Sequence, residues 1–280
     1  GSLSTSNDSD GIVVVTVNAA GNTNYKAGSK EITVTVQKYT ASATWTYNPT
    51  GKSIVYGSSG SATVSLTVSG GTAGSITYGS SNTAIFTVNS SSGAISPVKQ
   101  GSTTVTASWA RTATVKAGNS TSDSITITRA TQTVTLSKTS IDSPYLTANQ
   151  TFTASTNGNG SLSVSDDNTT ATVSISNGTV TVSNLGGINA GTVITVTVTA
   201  AQTDQYAPAT ATCTITIKKI ANPISVSNPG SKVYVLSTTN LSSLVTGAQG
   251  TVTYSIKTDG AATSSMSGSS LTVGSLSTDN

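Results

Sequence analysis

Along most of this chain apolar residues occupy every second position, in short runs separated by clusters of Gly, Asn and Ser. Val13-Val14-Val15-Thr16-Val17, Ile32-Thr33-Val34-Thr35-Val36 and Ile194-Thr195-Val196-Thr197-Val198 show the pattern. A period of two belongs to strands with one face on a core and the other in water. Thr fills many of the wet positions, and its β-branch suits a pleated surface. No segment carries the 3.6-residue period of an amphipathic helix. The pattern predicts an all-β protein of short strands and turns, the arrangement of β-sandwiches.

The runs recur at a fixed spacing. Val13 to Ala20 leads through Tyr25 to Ile32–Val36, and Ile194 to Ala201 leads through Tyr206 to Cys213–Ile217, without a gap at a shift of 181 residues. Midway, Thr103-Thr104-Val105-Thr106-Ala107 leads through Val115-Lys116-Ala117-Gly118 to Ile125-Thr126-Ile127, and Tyr25-Lys26-Ala27-Gly28 is the counterpart of that loop 90 residues earlier. Each copy is followed by a similar opening strand, at Ala43–Tyr47, Thr133–Leu136 and Ile224–Val226. One strand–loop–strand unit with a period of about 90 residues signals a tandem array, each repeat being a sandwich that cannot close without all its strands.

The phase of the array divides the chain unequally. With repeats ending near Val36, Ile127 and Ile217, residues 39–129 and 130–219 are complete domains. Residues 1–38 are then only the C-terminal strands of one domain, and 220–280 only the N-terminal strands of another. Gly1-Ser2-Leu3-Ser4-Thr5 returns as Gly274-Ser275-Leu276-Ser277-Thr278, three periods later. A sandwich without its last two strands leaves edges and half a core uncovered. Two expectations stand for 220–280: the natural chain continues past Asn280 with a sequence like 12–38, or residues 12–38 of a neighbouring molecule add the missing strands.

The segment Gly74-Ser75-Ile76-Thr77-Tyr78-Gly79-Ser80-Ser81-Asn82, the strand Ile85-Phe86-Thr87-Val88, the turn at Gly93 and the run Gly101-Ser102-Thr103-Thr104-Val105-Thr106-Ala107 resemble the bacterial immunoglobulin-like domain of group 2. That family is familiar from invasin- and intimin-type adhesins, other surface proteins and phage virion proteins. Asn82 and Gly93 fall at its turn positions. The next copy departs from the pattern, with Ser165-Asp166-Asp167-Asn168 in place of Ser-Ser-Asn and extra residues from Asn184 to Ala190. The resemblance implies tandem immunoglobulin-like β-sandwiches. It brings no catalytic residues, and fold alone does not decide function.

Composition narrows the chemistry. Only 8% of residues are charged and 5% aromatic, with a net charge of +3 from scattered Lys and Arg. No basic patch marks nucleic-acid binding, and no run reaches the roughly 20 apolar residues of a membrane helix. The lone Cys213 alternates with Ile215 and Ile217, so it is expected in the core as a small hydrophobe. With no histidine the usual general base and commonest metal ligand are missing. Glu31 is the one glutamate, and the aspartates are dispersed except at Asp8/Asp10 and Asp166-Asp167, which suit turns better than the six to eight oxygens calcium wants. A Lys–Asn cross-link would need a buried acid, which so acid-poor a chain is not expected to supply. Trp45, Tyr47 and Trp109 are read as core or rim packing rather than a sugar platform. Tyr25 and Tyr206, at one repeat position, are read as packing of the hairpin loop. Asn89 and Asn168 begin Asn-x-Ser/Thr tripeptides of the kind a Ser/Thr-rich chain contains by composition.

No catalytic, cofactor-binding or metal-ligating residue is assigned, no cofactor is expected, and the chain is read as non-enzymatic. The expected function is a structural stalk or spacer of a bacterial cell-surface or extracellular adhesin-like protein, with assembly head-to-tail by strand complementation as an option. Its expected partners are adjacent immunoglobulin-like repeats, of the same or a neighbouring chain, without nucleic acid and without direct membrane insertion. Two alternatives stand beside it: a module binding a host-surface protein or glycan, and a phage virion or tail accessory protein.

Overall fold

The structure is a computed structural model, and it describes residues 11–58, 62–227, 238–257 and 264–274. It is all-β: tandem immunoglobulin-like sandwiches, with two single-turn 3₁₀ segments among the described residues, at Leu185–Gly187 and Ser242–Leu244. Among the described residues no helix is long and apolar enough to cross a membrane.

The chain opens with a hairpin, β1 (Gly11–Ala19) and β2 (Gly28–Val36), paired from Gly11↔Val36 to Ala19↔Gly28. Next come β3 (Ala43–Asn48), β4 (Ser53–Val55), β5 (Thr63–Val68), β6 (Ile76–Ser80), β7 (Phe86–Val88) and β8 (Ile95–Pro97). They are followed by β9 (Gly101–Thr103), β10 (Val105–Trp109), β11 (Gly118–Thr121) and β12 (Ile125–Thr128). One sheet joins β3 to β5, which meets β7 and β8 through a bridge at Thr63↔Ala94. The other holds β11-β10-β6 and β4-β12-β9. Val64, Phe86, Ile95, Val105, Ile125 and Ile127 fill the space between the two. Alternation puts every second residue of each strand there, and Thr and Ser on the outside.

The second sandwich repeats this topology. Its strands are β13 (Val134–Leu136), β14 (Ser140–Pro144), β15 (Gln150–Thr156), β16 (Leu162–Asp166), β17 (Thr172–Ser176), β18 (Thr179–Ser183), β19 (Val193–Ala200) and β20 (Ala209–Lys218). The sheets run β13-β15-β18-β17 and β14-β20-β19-β16. In both sandwiches the opening strand is split: its first part pairs antiparallel in one sheet, and its second runs parallel to the last strand in the other. Cys213 lies buried in the second core, and burial pushes its thiol pKa up.

The described strands that follow, from Ser225 to Thr272, form one layer. β21 (Ser225–Val226) pairs with β23 (Val245–Thr246), and β22 (Thr238–Asn240) pairs with β25 (Ser270–Thr272), which pairs with β24 (Ser265–Ser267). With β22 and β23 taken as one strand broken by the 3₁₀ turn, the order equals that of the sheet β13-β15-β18-β17. Thr251–Ile256 correspond to β6 and β16 but belong to no strand.

Two turn details follow from residue type. Asn82 Oδ1 accepts from the Ala84 amide at 3.0 Å, closing the turn before β7. Gly93 has φ +70° and leaves no room for a Cβ against the Val64 carbonyl, so only glycine fits there.

Candidate functional site

The residues with chemical promise are used by the fold. Trp109 is buried with its ring on Gly118, where a Cβ would collide, and its Nε1 donates to the Lys116 carbonyl at 3.1 Å. Trp45 is half-buried, donates to Ser120 Oγ at 3.0 Å and meets the Tyr78 ring at 6.2 Å. Tyr47 Oη accepts from the Asp123 amide at 2.9 Å, and Lys52 Nζ sits 5.0 Å from the Tyr47 ring centre while pairing with Asp123 at 2.7 Å. Hydrogen bonding within that exposed ion pair raises the Lys52 pKa and lowers that of Asp123.

The acidic pair Asp166-Asp167 is a turn. Asp166 Oδ1 accepts from the Asn168 amide, and Asp167 Oδ1 from the Thr195 amide at 2.8 Å. The Thr195 bond holds the Asp167 carboxyl below its ordinary value. Asn89 and Asn168 each cap a turn by accepting two backbone amides. Asp8/Asp10 and the recurring pentapeptide, apart from Gly274, lie outside the described residues. Among the described residues no group of three or more His, Cys, Asp or Glu is placed to hold a metal.

What remains unexplained is apolar surface, at two places. The three hairpins β1–β2, β10–β11 and β19–β20 share one register: Ala19↔Gly28, Trp109↔Gly118 and Ala200↔Ala209 are equivalent pairs. In the third hairpin Val196, Val198 and Ile215 are wholly buried. Their counterparts Val15, Val17 and Val34 are 46%, 51% and 45% exposed. Ile32 and Val36 are exposed too, with Val13 half-buried, where Cys213, Ile217 and Ile194 are buried. Covering a fully exposed Val or Ile side chain contributes about 1.5–3 kcal/mol; these six are already about half covered and so correspond to about 200–350 Å² of apolar area.

The second place is the layer formed by β21 to β25. Its inner face is an open trough of about 540 Å³ lined by Val226, Leu244, Val245, Val252, Tyr254 and Leu271. Leu271 occupies the place of the wholly buried Val180.

The entry of each sandwich is repeated too, where its first residues meet its own hairpin loop. Tyr39 bridges in parallel to Val115, and Ala130 to Tyr206, each bridge closed by two backbone bonds of 2.8–3.0 Å. Where the sandwiches meet, Tyr206 stands edge-on to Tyr56 at 5.6 Å, the Gln100 amide donates to the Asp204 carbonyl at 2.8 Å, and Gln205 Nε2 donates to the Val98 carbonyl. The reading of Tyr206 as packing its own hairpin loop therefore misses its main partner, a ring in the preceding sandwich. Sequence spacing carried no signal for a contact across a domain boundary. Tyr25, at the same repeat position, is 76% exposed. Tyr145 stands where Tyr56 does, since both donate to the carbonyl that ends the last strand of their sandwich. Beside Tyr145 lies an open cleft of about 400 Å³, lined also by Leu146, Ala190, Ile220 and Asn222.

No protein-family profile matches the chain, and no curated protein sequence matches it. Among solved structures it is similar to domains 4 and 5 of the S-layer protein SbsC, at 19% identity over 64% of this chain and 100% of that one, TM-score 0.28. It is similar to titin domains Z1Z2 in complex with telethonin, at 13% identity over 66% of this chain and 100% of that one, TM-score 0.34. It is also similar to fibronectin(III)-like modules of Clostridium thermocellum CbhA, at 15% identity over 63% and 95%, TM-score 0.26. At identities this low the likeness concerns the fold alone.

Proposed function

We propose that this chain is a non-enzymatic stalk or spacer segment of a cell-surface or extracellular repeat protein. It is built of complete domains at 39–129 and 130–219 flanked by partial domains at 1–38 and 220–280. The observation that carries this reading is the contact between the two sandwiches, where Tyr56–Tyr206 and Gln100–Asp204 seat one on the next. Repeats that touch only their neighbours stack in one dimension and hold distance. The ten-residue strand β20 spans about 34 Å, which sets the scale of a sandwich's length.

Placement at a cell surface rests on the group 2 resemblance, which the turn residues Asn82 and Gly93 support. The two tryptophans are buried or half-buried with their indole N–H groups satisfied, so neither supports a sugar platform.

Small-angle scattering of dilute full-length chain tests the reading. A radius of gyration well above the about 19 Å of a compact 280-residue globule is expected. A value near that of the globule contradicts a stalk.

A further inference from the structure

We propose that Asn177 is a site of spontaneous covalent modification. Its side-chain amide is converted to a carboxylate through attack by the Gly178 backbone nitrogen, while the fold protects the other Asn-Gly pairs of the chain. Three such pairs occur, Asn157-Gly158, Asn159-Gly160 and Asn177-Gly178, all in the second sandwich. Asn is among the thermally labile residues, and a following glycine exposes it further because no Cβ crowds the nitrogen as it approaches the side chain.

Two of the pairs are held at both reacting ends. Between β15 and β16, Gly160 is buried and its amide donates to Gln132 Oε1 at 3.4 Å. The Asn159 side chain is tied on both sides, Nδ2 donating to Gln205 Oε1 at 2.6 Å and Oδ1 accepting from the Thr203 hydroxyl at 2.7 Å. Asn157 Oδ1 accepts from the Thr133 amide at 2.7 Å, and the Gly158 amide donates to Thr156 Oγ1 at 3.2 Å. The attacking nitrogen and the side chain it would attack thus have separate partners, and both must be released before a ring can close. Asn159 also stands beside the contact between the sandwiches, since Gln205 reaches on to the Val98 carbonyl.

Asn177-Gly178 is built otherwise. The two residues are the turn of the hairpin β17–β18, between Ser176 and its partner Thr179. Both are left-handed, at φ +48° and +75°, the two-residue turn that Asn-Gly favours. Asn177 is exposed, and among the described residues neither its side chain nor the Gly178 amide has a hydrogen-bond partner. β17 is the outer strand of the sheet β13-β15-β18-β17, so the turn opens by local fraying of one edge. In the opened turn the Gly178 amide gives its proton to water or hydroxide, its nitrogen bonds to Asn177 Cγ, and ammonia leaves with the Cγ–Nδ2 electron pair. Water then opens the cyclic imide. Opening at Cγ gives aspartate; opening at the main-chain carbonyl gives isoaspartate, whose backbone runs through the former side chain. Either product adds one negative charge to a chain of net charge +3. Isoaspartate also inserts a methylene into the turn that sets the register of β17 on β18.

The test is ageing of the full chain at mildly alkaline pH, below its melting transitions, with the three sites followed by fragmentation mass spectrometry. Asn177 is expected to convert first, and Asn157 and Asn159 to lag by about tenfold or more, the factor that a hydrogen bond to be opened supplies. In chain unfolded by guanidinium the three are expected to convert at similar rates, because only the fold ranks them. Gln132→Ala frees the Gly160 amide and is expected to speed Asn159 while Asn177 keeps its rate. Folded chain in which Asn177 stays an amide, or in which Asn157 or Asn159 converts as fast, overturns the proposal. So does unfolded chain that keeps the folded ranking, or a Gln132→Ala chain in which Asn159 is no faster. The comparison of folded with unfolded wild-type chain stands whether or not that variant folds.

Discussion

The hairpins at 11–36 and 193–218 have the same register and nearly the same apolar positions, yet one lies in a core and the other in water. Val17 and Val198 are equivalent residues of identical chemistry, at 51% and 0% exposure. The difference teaches that alternation specifies a face rather than its burial. In the buried hairpin the face is covered by the sheet that the preceding strands form, β13-β15-β18-β17.

The third hairpin, β10–β11, sharpens the comparison most strongly. It places Trp109 where the others have Ala19 and Ala200, and its indole rests on Gly118. Trp109→Ala is expected to destabilise the sandwich that holds it by about 3–5 kcal/mol, seen as an earlier first transition in calorimetry with the other sandwich unmoved.

The direct contrast is the matched pair Val198→Ala and Val17→Ala. The first removes two buried methyl groups and should cost about 2–3 kcal/mol, read from chemical denaturation. The second should leave the chain's transitions where they are. Equal effects on folding would break the comparison.

Gln132 makes the next smaller test. Buried where the opening strand enters the second sandwich, its Nε2 donates to the carbonyls of Ala201 and Ala207, joining that strand to the hairpin loop. Gln132→Ala leaves those acceptors unpaired and should cost about 1–3 kcal/mol in denaturant. In the opening hairpin the corresponding loop, around Asn22–Tyr25, is exposed.

The smallest effect concerns pH. The Thr195 amide holds the Asp167 carboxyl below its ordinary value. A carboxyl lowered in the folded state contributes stability above its unfolded pKa, and that contribution is lost as pH falls through the folded pKa. The melting temperature of the second sandwich should fall slightly on acidification below the ordinary carboxylate range, and Asp167→Asn should flatten that dependence.

Much of the architecture was legible because its period is short and its register strict. Ile194–Val198 shows its inward positions directly, and Cys213 sits in the core as its alternation with Ile215 and Ile217 implies. The split opening strand was not legible: Ala43–Asn48 and Ser53–Val55 join different sheets, and a strand that changes sheet looks like any two short runs. Nor was the role of Tyr206, whose partner Tyr56 lies far away in sequence, across a domain boundary. The open trough and the exposed hairpin face were foreshadowed only by the phase of the repeat.

The most direct measurement is sedimentation velocity of the dilute chain, which reads its elongation. The chain should sediment clearly more slowly than a compact globule of the same mass. Sedimentation at the rate of that globule would contradict sandwiches stacked in series.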